Sequence, residues 1–372
     1  MQTNIFGLIY AAEKHDSAMR DLVSKRSVSA LPVGGRYRVI DFVLSNMVNT
    51  GIRNVGIIPR KNYQSLMDHL GSGKEWDLSR KTDGLFILPP YDTYENTGSY
   101  HGLIDTVKGA MAYVRRAKQE YCLISGSTLV YNADYSDMVK QHIKSGADIT
   151  IMYNTQAASK NPGVTNLVVA QDGRVTDLNT LPALAEGDVN ACMDCFLIKK
   201  DLLITIVESA YSRRDYRLVE DVLTGHLDEY KVYGYKFEGQ VQRYNDVRSY
   251  FANNMEMLCP EVQDDLFYAN NVYTKVKDGA PTKYLEGASV KNSILGSGCV
   301  IEGELENCVV FRNVKVHKGA KLKNCIIMQG TEVFENACVD SVILDKHVSV
   351  RPGANLVGHK DYPIVIPKGG IV

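Results

Sequence analysis

Apolar and polar positions alternate along the first 250 residues in a pattern that predicts strands and helices taking turns. Ile5 to Ala11 is a short apolar run, suited to a buried parallel strand. In Arg38 to Asn49 the apolar residues Val39, Phe42, Val43 and Met47 fall at helical spacing, and Gly51 follows as a stop signal. Val55 to Ile58 reads as the next strand, ended by Pro59. Gly102 to Arg116 reads as one helix, and Tyr121 to Ile124 as a strand closed by Ser125-Gly126. Ser136 is placed as the cap of a helix running to Ser145, with Gly146 just beyond it, and Ala147 to Tyr153 is again strand-like. Such alternation predicts an α/β, Rossmann-like domain: a mostly parallel sheet with helices on both faces. Ligands of such sheets sit at the carboxyl ends of the strands.

The last 90 residues follow a different rule, because they repeat. Val290-Lys-Asn-Ser-Ile-Leu295, Leu305-Glu-Asn-Cys-Val-Val310, Leu322-Lys-Asn-Cys-Ile-Ile327 and Val339-Asp-Ser-Val-Ile-Leu344 align, with starts spaced 15, 17 and 17 residues. Ile301, Val316, Val333 and Val350 keep the same period. Each unit is close to three hexapeptides, which predicts a parallel β-helix of stacked coils. Inward positions take Val, Ile, Leu, Ala or Cys, while Gly and Asn turn the corners. Cys308 and Cys325 are thereby read as core residues. The resulting division is an α/β domain over 1–255, a connection over 256–285 and a β-helix over 286–372.

Composition narrows the function classes. Lys+Arg is 42 and Asp+Glu is 43. That balance argues against a nucleic-acid partner, which favours a basic excess, but leaves room for a local phosphate pocket. No apolar run reaches a membrane span, and Met1 to Tyr10 lacks signal-peptide features, so a cytoplasmic location is expected. Of the eight cysteines, Cys192 and Cys195 form a lone C-x-x-C with no second pair, so they are read as structural and no metal site is expected.

Three segments then carry a resemblance. These are Leu31-Pro-Val-Gly-Gly-Arg-Tyr-Arg-Val-Ile-Asp-Phe-Val-Leu-Ser-Asn46, Gly71-Ser-Gly-Lys-Glu-Trp-Asp-Leu78 and Phe86-Ile-Leu-Pro-Pro90. Together with the repeat, they make the chain resemble the bacterial ADP-glucose pyrophosphorylases, or glucose-1-phosphate adenylyltransferases. The resemblance implies a nucleotidyltransferase domain followed by a left-handed β-helix, in a tetramer. It also implies a reaction in which a glucose-1-phosphate oxygen attacks the α-phosphorus of ATP and pyrophosphate leaves. Such chemistry needs cations and N–H donors around the phosphates, and carboxylates for Mg²⁺.

The residues implied for that site are missing here. Where catalytic members have G-G-x-G-[ST]-R-L, this chain has Glu13, Lys14, His15, Asp16, Ser17, Ala18 and Met19, with Ala18 at the arginine position. Val28 stands for the lysine of K-P-A-V-P, and Ser127 for the metal aspartate of S-G-D. Tyr91-Asp92 replaces the two glutamines of the base-contacting motif. Leu181 falls at the sugar-phosphate lysine, while Gly102, Asp105 and Asp246 remain as remnants. Removing one preorganised charge-stabilising donor typically costs roughly 10²–10³ in rate, and here several are absent together. The pattern fits the non-catalytic GlgD-type subunit, which accompanies a catalytic GlgC-type subunit.

The expectation is therefore a silent regulatory subunit with no bound cofactor. Its partner would be a catalytic paralogue in a hetero-oligomer, a tetramer by the resemblance, and the Mg²⁺ would be the partner's requirement. Arg36, Arg38, Arg60 and Lys61 lie near segments where family members bind anions, so they fit either a sugar-phosphate effector or solvated surface. Two other readings compete: an active transferase rebuilt on Lys14, Arg20 and Lys25, and a stand-alone sensor of sugar phosphates or nucleotides. A capping or surface role is favoured for Asp246, surface roles for His317 and His347, and packing for Trp76.

Overall fold

The computed structural model describes residues 4–11, 16–90, 100–158, 163–182 and 186–372. The chain forms two compact units, each drawn from three stretches. The first is Met1–Ala12, Val43–Arg60 and Gly71–Val241; the second is Glu13–Phe42, Lys61–Leu70 and Gln242–Val372. The units thus cut across the chain-order division at 255 and 285, because early segments pack with the carboxyl-terminal half.

The first unit is built on a nine-stranded sheet. Its strands are β1 (Ile5–Tyr10), β2 (Asn54–Ile58), β3 (Gly84–Ile87), β4 (Tyr121–Gly126), β5 (Ile149–Ala157), β6 (Thr165–Val169), β7 (Val175–Thr180), β8 (Asp188–Lys199) and β9 (Val232–Lys236). The order β4-β1-β2-β3 is parallel throughout, as the short unbroken apolar runs require. The long strand β8 joins antiparallel to β4 and β5, and its register slips between Cys192 and Cys195. Met193 and Asp194 occupy that bulge, and Asp194 has φ of 50°. Both cysteines are buried.

Helix α1 (Val39–Asn49) opens on the second unit's residues and ends in the first. Its buried Asn46 holds the loop after β4, donating to the Tyr131 carbonyl and accepting from the Ala133 N–H. The single helix expected over 102–116 is two, α2 (Leu103–Gly109) and α3 (Met111–Arg116). A Cβ at Gly109 would meet the Tyr100 hydroxyl at 2.4 Å, and the helix breaks just beyond this close approach. Ser136 is the first residue of α4 (Ser136–Ser145) and not its cap; the Asp134 carboxylate takes its N–H and its hydroxyl.

In the second unit, residues 283–366 wind into a left-handed parallel β-helix whose short strands stack in three five-stranded sheets. Register follows the repeat: Leu295, Val310, Ile327 and Leu344 lie one above another. Cys308 and Cys325 are buried in its core. Asn292, Asn307 and Asn324 take the left-handed conformation at one corner. Their amides form a ladder, Asn292 to Asn307 at 2.7 Å and Asn307 to Asn324 at 3.3 Å. Asparagine suits this column because it tolerates positive φ and offers both a donor and an acceptor.

The same unit contains the hairpin Pro32–Val33 with Tyr37–Arg38, turned by Gly34 and Gly35 at φ of 57° and 73°. A Cβ at Gly35 would meet Ile294 of the β-helix at 2.8 Å, so the turn packs there only as glycine. Arg26 lies buried against Asp345, its Nη2 donating to both carboxylate oxygens at 2.6 Å. The connecting segment folds as a helical turn, Pro260–Gln263, and a wider one, Asp264–Tyr268, which stacks Phe267 on Tyr37 at 5.2 Å. Among the described residues, no helix is long and apolar enough to cross a membrane.

Candidate functional site

Parallel strands bring their carboxyl ends to one edge of the sheet, which makes that edge the first place to look for chemistry. In the first unit Tyr10 ends β1, and Gly126 ends β4 with Ser127 after it. The Ser127 hydroxyl donates to the Tyr10 carbonyl at 3.1 Å and is buried. Space above Gly126 is taken: a Cβ there would meet Asp194 Cβ at 3.2 Å and the Tyr10 hydroxyl at 3.5 Å. Burial, reinforced by the Asp194 carboxylate, pushes the Tyr10 phenol well above its ordinary range, so it stays neutral. The position implied for a magnesium carboxylate thus holds a neutral hydroxyl already committed to the backbone. The residue does not fit Mg²⁺, which wants anionic oxygen ligands.

The motif remnants have local structural work. Asp105 accepts from the Gly102 N–H at 2.8 Å and from the His101 N–H, closing the amino end of α2. A Cβ at Gly102 would meet the Tyr216 carbonyl oxygen at 2.2 Å, so backbone packing accounts for glycine there. Leu181 is buried in the same unit. In the second unit, Asp246 caps helix α5 (Val247–Glu256), accepting from the Ser249 N–H at 2.6 Å. Val28 is buried in a 3₁₀ turn, and Ala18 is exposed on the short helix Asp16–Met19. Glu13, Lys14 and His15 lie outside the described residues, as do Tyr91 and Asp92, and Lys25 is exposed.

Positive charge collects elsewhere in the second unit. A recess of about 50 Å³ is lined by Arg36, Arg38, Lys275, Lys277, Arg312 and Lys346, with His69 and Gln329, and contains no acidic lining residue. It adjoins a wider chamber of about 540 Å³ that shares Arg36, Tyr37, Lys277 and Arg312 and adds Phe267, Tyr268 and the acidic Asp278. The glycine turn aims the hairpin's two arginines. Arg312, Gln329 and Lys346 each follow a stacked residue (Val310, Ile327, Leu344) by two positions, so the coils present them as a column. Sequence reasoning named Arg36 and Arg38 but missed the column, although its 17-residue spacing was available in the repeat. Arg60 belongs to the other unit, where its guanidinium donates to the Tyr100 carbonyl; Lys61 is exposed and does not line the recess.

Crowding leaves its mark on these cations. Burial pulls Lys346 down to about 7, and the Arg38, Arg26 and Lys277 charges add to it against Asp345. Burial likewise draws Arg38 down to about 10, with Asp41 opposing. Burial also lowers Arg312, which Arg36 reinforces. Cations gathered at a recess whose lining holds no carboxylate are the signature of a place built for an anion.

His69 closes the recess from the helix Gln64–Leu70, where its Nε2 contacts Asp41 Oδ1 at 2.5 Å. Burial lowers its pKa, outweighing Asp41, and burial lowers His142 in the first unit as well. Both are held neutral when folded, while the unfolded chain takes up protons near pH 6.5. Stability is therefore complete above that pH and falls on acidification, by up to about 1.4 kcal/mol per pH unit for each histidine. Urea unfolding between pH 5 and 7.5 should show a shallower acid loss in His69→Gln than in the parent; equal slopes would contradict the assignment.

Comparison with known proteins agrees with this architecture. Residues 17–255 match the nucleotidyl transferase model and residues 281–361 the GlmU-like C-terminal hexapeptide model. The glycogen biosynthesis protein GlgD of Bacillus subtilis is 36% identical, over 95% of this chain and 92% of its own. GlgD of Geobacillus stearothermophilus is 36% identical, over 100% of this chain and 98% of its own. A glucose-1-phosphate adenylyltransferase of Fervidobacterium nodosum is 30% identical, over 96% and 86%. With two domain models in the right order and relatives matched nearly end to end, the chain belongs to the nucleotidyl transferase family, in the group formed by the glucose-1-phosphate adenylyltransferases and the GlgD proteins.

Proposed function

We propose that this chain is a regulatory, catalytically silent subunit in cytoplasmic glycogen biosynthesis. It assembles with a catalytic glucose-1-phosphate adenylyltransferase paralogue, which makes ADP-glucose and pyrophosphate from ATP and glucose 1-phosphate and holds the Mg²⁺. The observation that carries the reading is Ser127: the hydroxyl at the implied metal position is spent on the Tyr10 carbonyl. The cationic recess receives a phosphorylated effector, and its occupancy biases the partner through subunit contacts. Such coupling is typically worth about 1–3 kcal/mol, or roughly 5–150-fold in affinity.

The test is to titrate this chain into the purified catalytic paralogue. The expected result is co-elution as one hetero-oligomer and a several-fold change in ADP-glucose formation or in its response to sugar phosphates. Unchanged kinetics at every ratio, with the two proteins eluting separately, would overturn the proposal.

A further inference from the structure

We propose that one outer face of the β-helix docks on the same face of a second copy of this chain, turned end for end. The face is the sheet formed by Ser289–Lys291, Glu304–Glu306, Lys321–Lys323, Cys338–Asp340 and Asn355–Val357, stacked in that order. The middle residue of each strand packs on the core, so the two flanking residues point outward. These outward pairs make five rows along a groove of about 280 Å³.

Charge follows a definite order along the rows. The first row carries Lys291, the second Glu304 and Glu306, the third Lys321 and Lys323, and the fourth Asp340; the fifth is neutral. Within the chain Lys321 reaches Glu304 at 3.4 Å and Lys323 reaches Glu306 at 3.6 Å, yet all four side chains stay more than half exposed. Each has room for a second counter-charge. A two-fold axis in the contact plane, running along the strands between the second and third rows, supplies it. That axis sets Glu304 opposite the second copy's Lys321, Glu306 opposite its Lys323 and Lys291 opposite its Asp340. An isologous contact makes each of these pairs twice. Neighbouring arrangements fail. An axis on the third row sets its lysines against themselves, and one on the second row does the same to its glutamates. An axis along the β-helix lays Glu304 against Glu306 and Lys321 against Lys323. Facing like charges are costly, so the pattern selects one partner, one direction and one register. Rows about 4.8 Å apart make a face only about 20 Å tall, which places the contact in the small class of interface. The contact needs no paralogue, so it goes beyond the regulatory role proposed above.

Cys338 and Ser289 report the register. Cys338 is exposed in the fourth row and lies opposite the second copy's Ser289, while the two Cys338 side chains are three rows, about 14 Å, apart along the face. The full chain is used with Cys259→Ser, which removes the other exposed thiol. Adding Ser289→Cys should let a short bismaleimide link two copies, and adding Cys338→Ser to it should abolish the link. Sedimentation equilibrium of the parent at low salt should show self-association, lost at 1 M salt, where the Debye length falls to about 3 Å. Lys321→Glu with Lys323→Glu, and separately Glu304→Lys with Glu306→Lys, should each lose the association. Mixing those two variants should restore it, which a folding defect could not do. A parent chain that stays monomeric at low salt at every concentration would overturn the inference. Self-association untouched by either charge reversal, or a link formed through Cys338 without Ser289→Cys, would place the contact elsewhere and also overturn it.

Discussion

Arg26→Met is expected to destabilise the protein by roughly 3–5 kcal/mol, a large share of the total stability of a domain. Arg26 and Asp345 are 3% and 2% exposed, so each is solvated almost wholly by the other. Removing the arginine leaves a buried carboxylate whose remaining donor is the Lys346 backbone N–H at 2.6 Å. The cost is that of an unpaired charge and exceeds the net worth of the pair. Arg26→Met with Asp345→Leu should therefore recover most of the loss, because a hydrophobic pair of similar volume asks for no desolvation. Urea unfolding of the full chain, followed by circular dichroism, checks both variants. A single substitution costing under about 1 kcal/mol would mean the pair is hydrated.

Arg312→Glu is expected to weaken sulfate binding by 100-fold or more. A charged hydrogen bond to an anion is worth about 1.5–3 kcal/mol, and the reversal adds repulsion from a carboxylate in a recess that has no other. Arg36→Glu should act in the same direction. Arg60→Gln should leave affinity unchanged, since that side chain donates to the Tyr100 carbonyl in the other unit. Titration with sulfate at pH 7 separates these outcomes. Equal losses for Arg312→Glu and Arg60→Gln would place the anion outside the recess.

Much of this fold is legible in the chain because periodic burial writes itself into residue choice. The four aligned hexapeptide segments set coil, register and corner on their own, since an inward Val, Ile or Leu must recur for coils to stack. The strands Ile5–Tyr10 and Asn54–Ile58 are readable because buried parallel strands need unbroken apolar runs. The break after Gly109 is not, because the apolar spacing from Leu103 to Val114 runs straight through it. Neither is the regrouping of Glu13–Phe42 with the β-helix, because the Arg26–Asp345 pair joins residues 319 apart.

The site divides in the same way. Losses at Ala18, Val28, Ser127 and Leu181 show as residue types in a motif, but what fills the sheet edge does not. Tyr10 and Asp194 lie over Gly126, and Asp194 sits in the bulge of β8 between Cys192 and Cys195. Half of the cationic recess is visible as Arg36 and Arg38. The other half comes from Lys275, Lys277, Arg312 and Lys346, single charges that look like ordinary surface until the coils are stacked and the hairpin is laid against them.

Catalytic silence is tested most directly by ADP-glucose formation by the purified chain alone, supplied with ATP, glucose 1-phosphate and Mg²⁺. With Ser127 bound to the backbone where a magnesium carboxylate is implied, the rate should not rise above the background without protein. Sustained turnover at the few-per-second rates of ordinary enzymes, abolished by Ser127→Ala, would contradict the account.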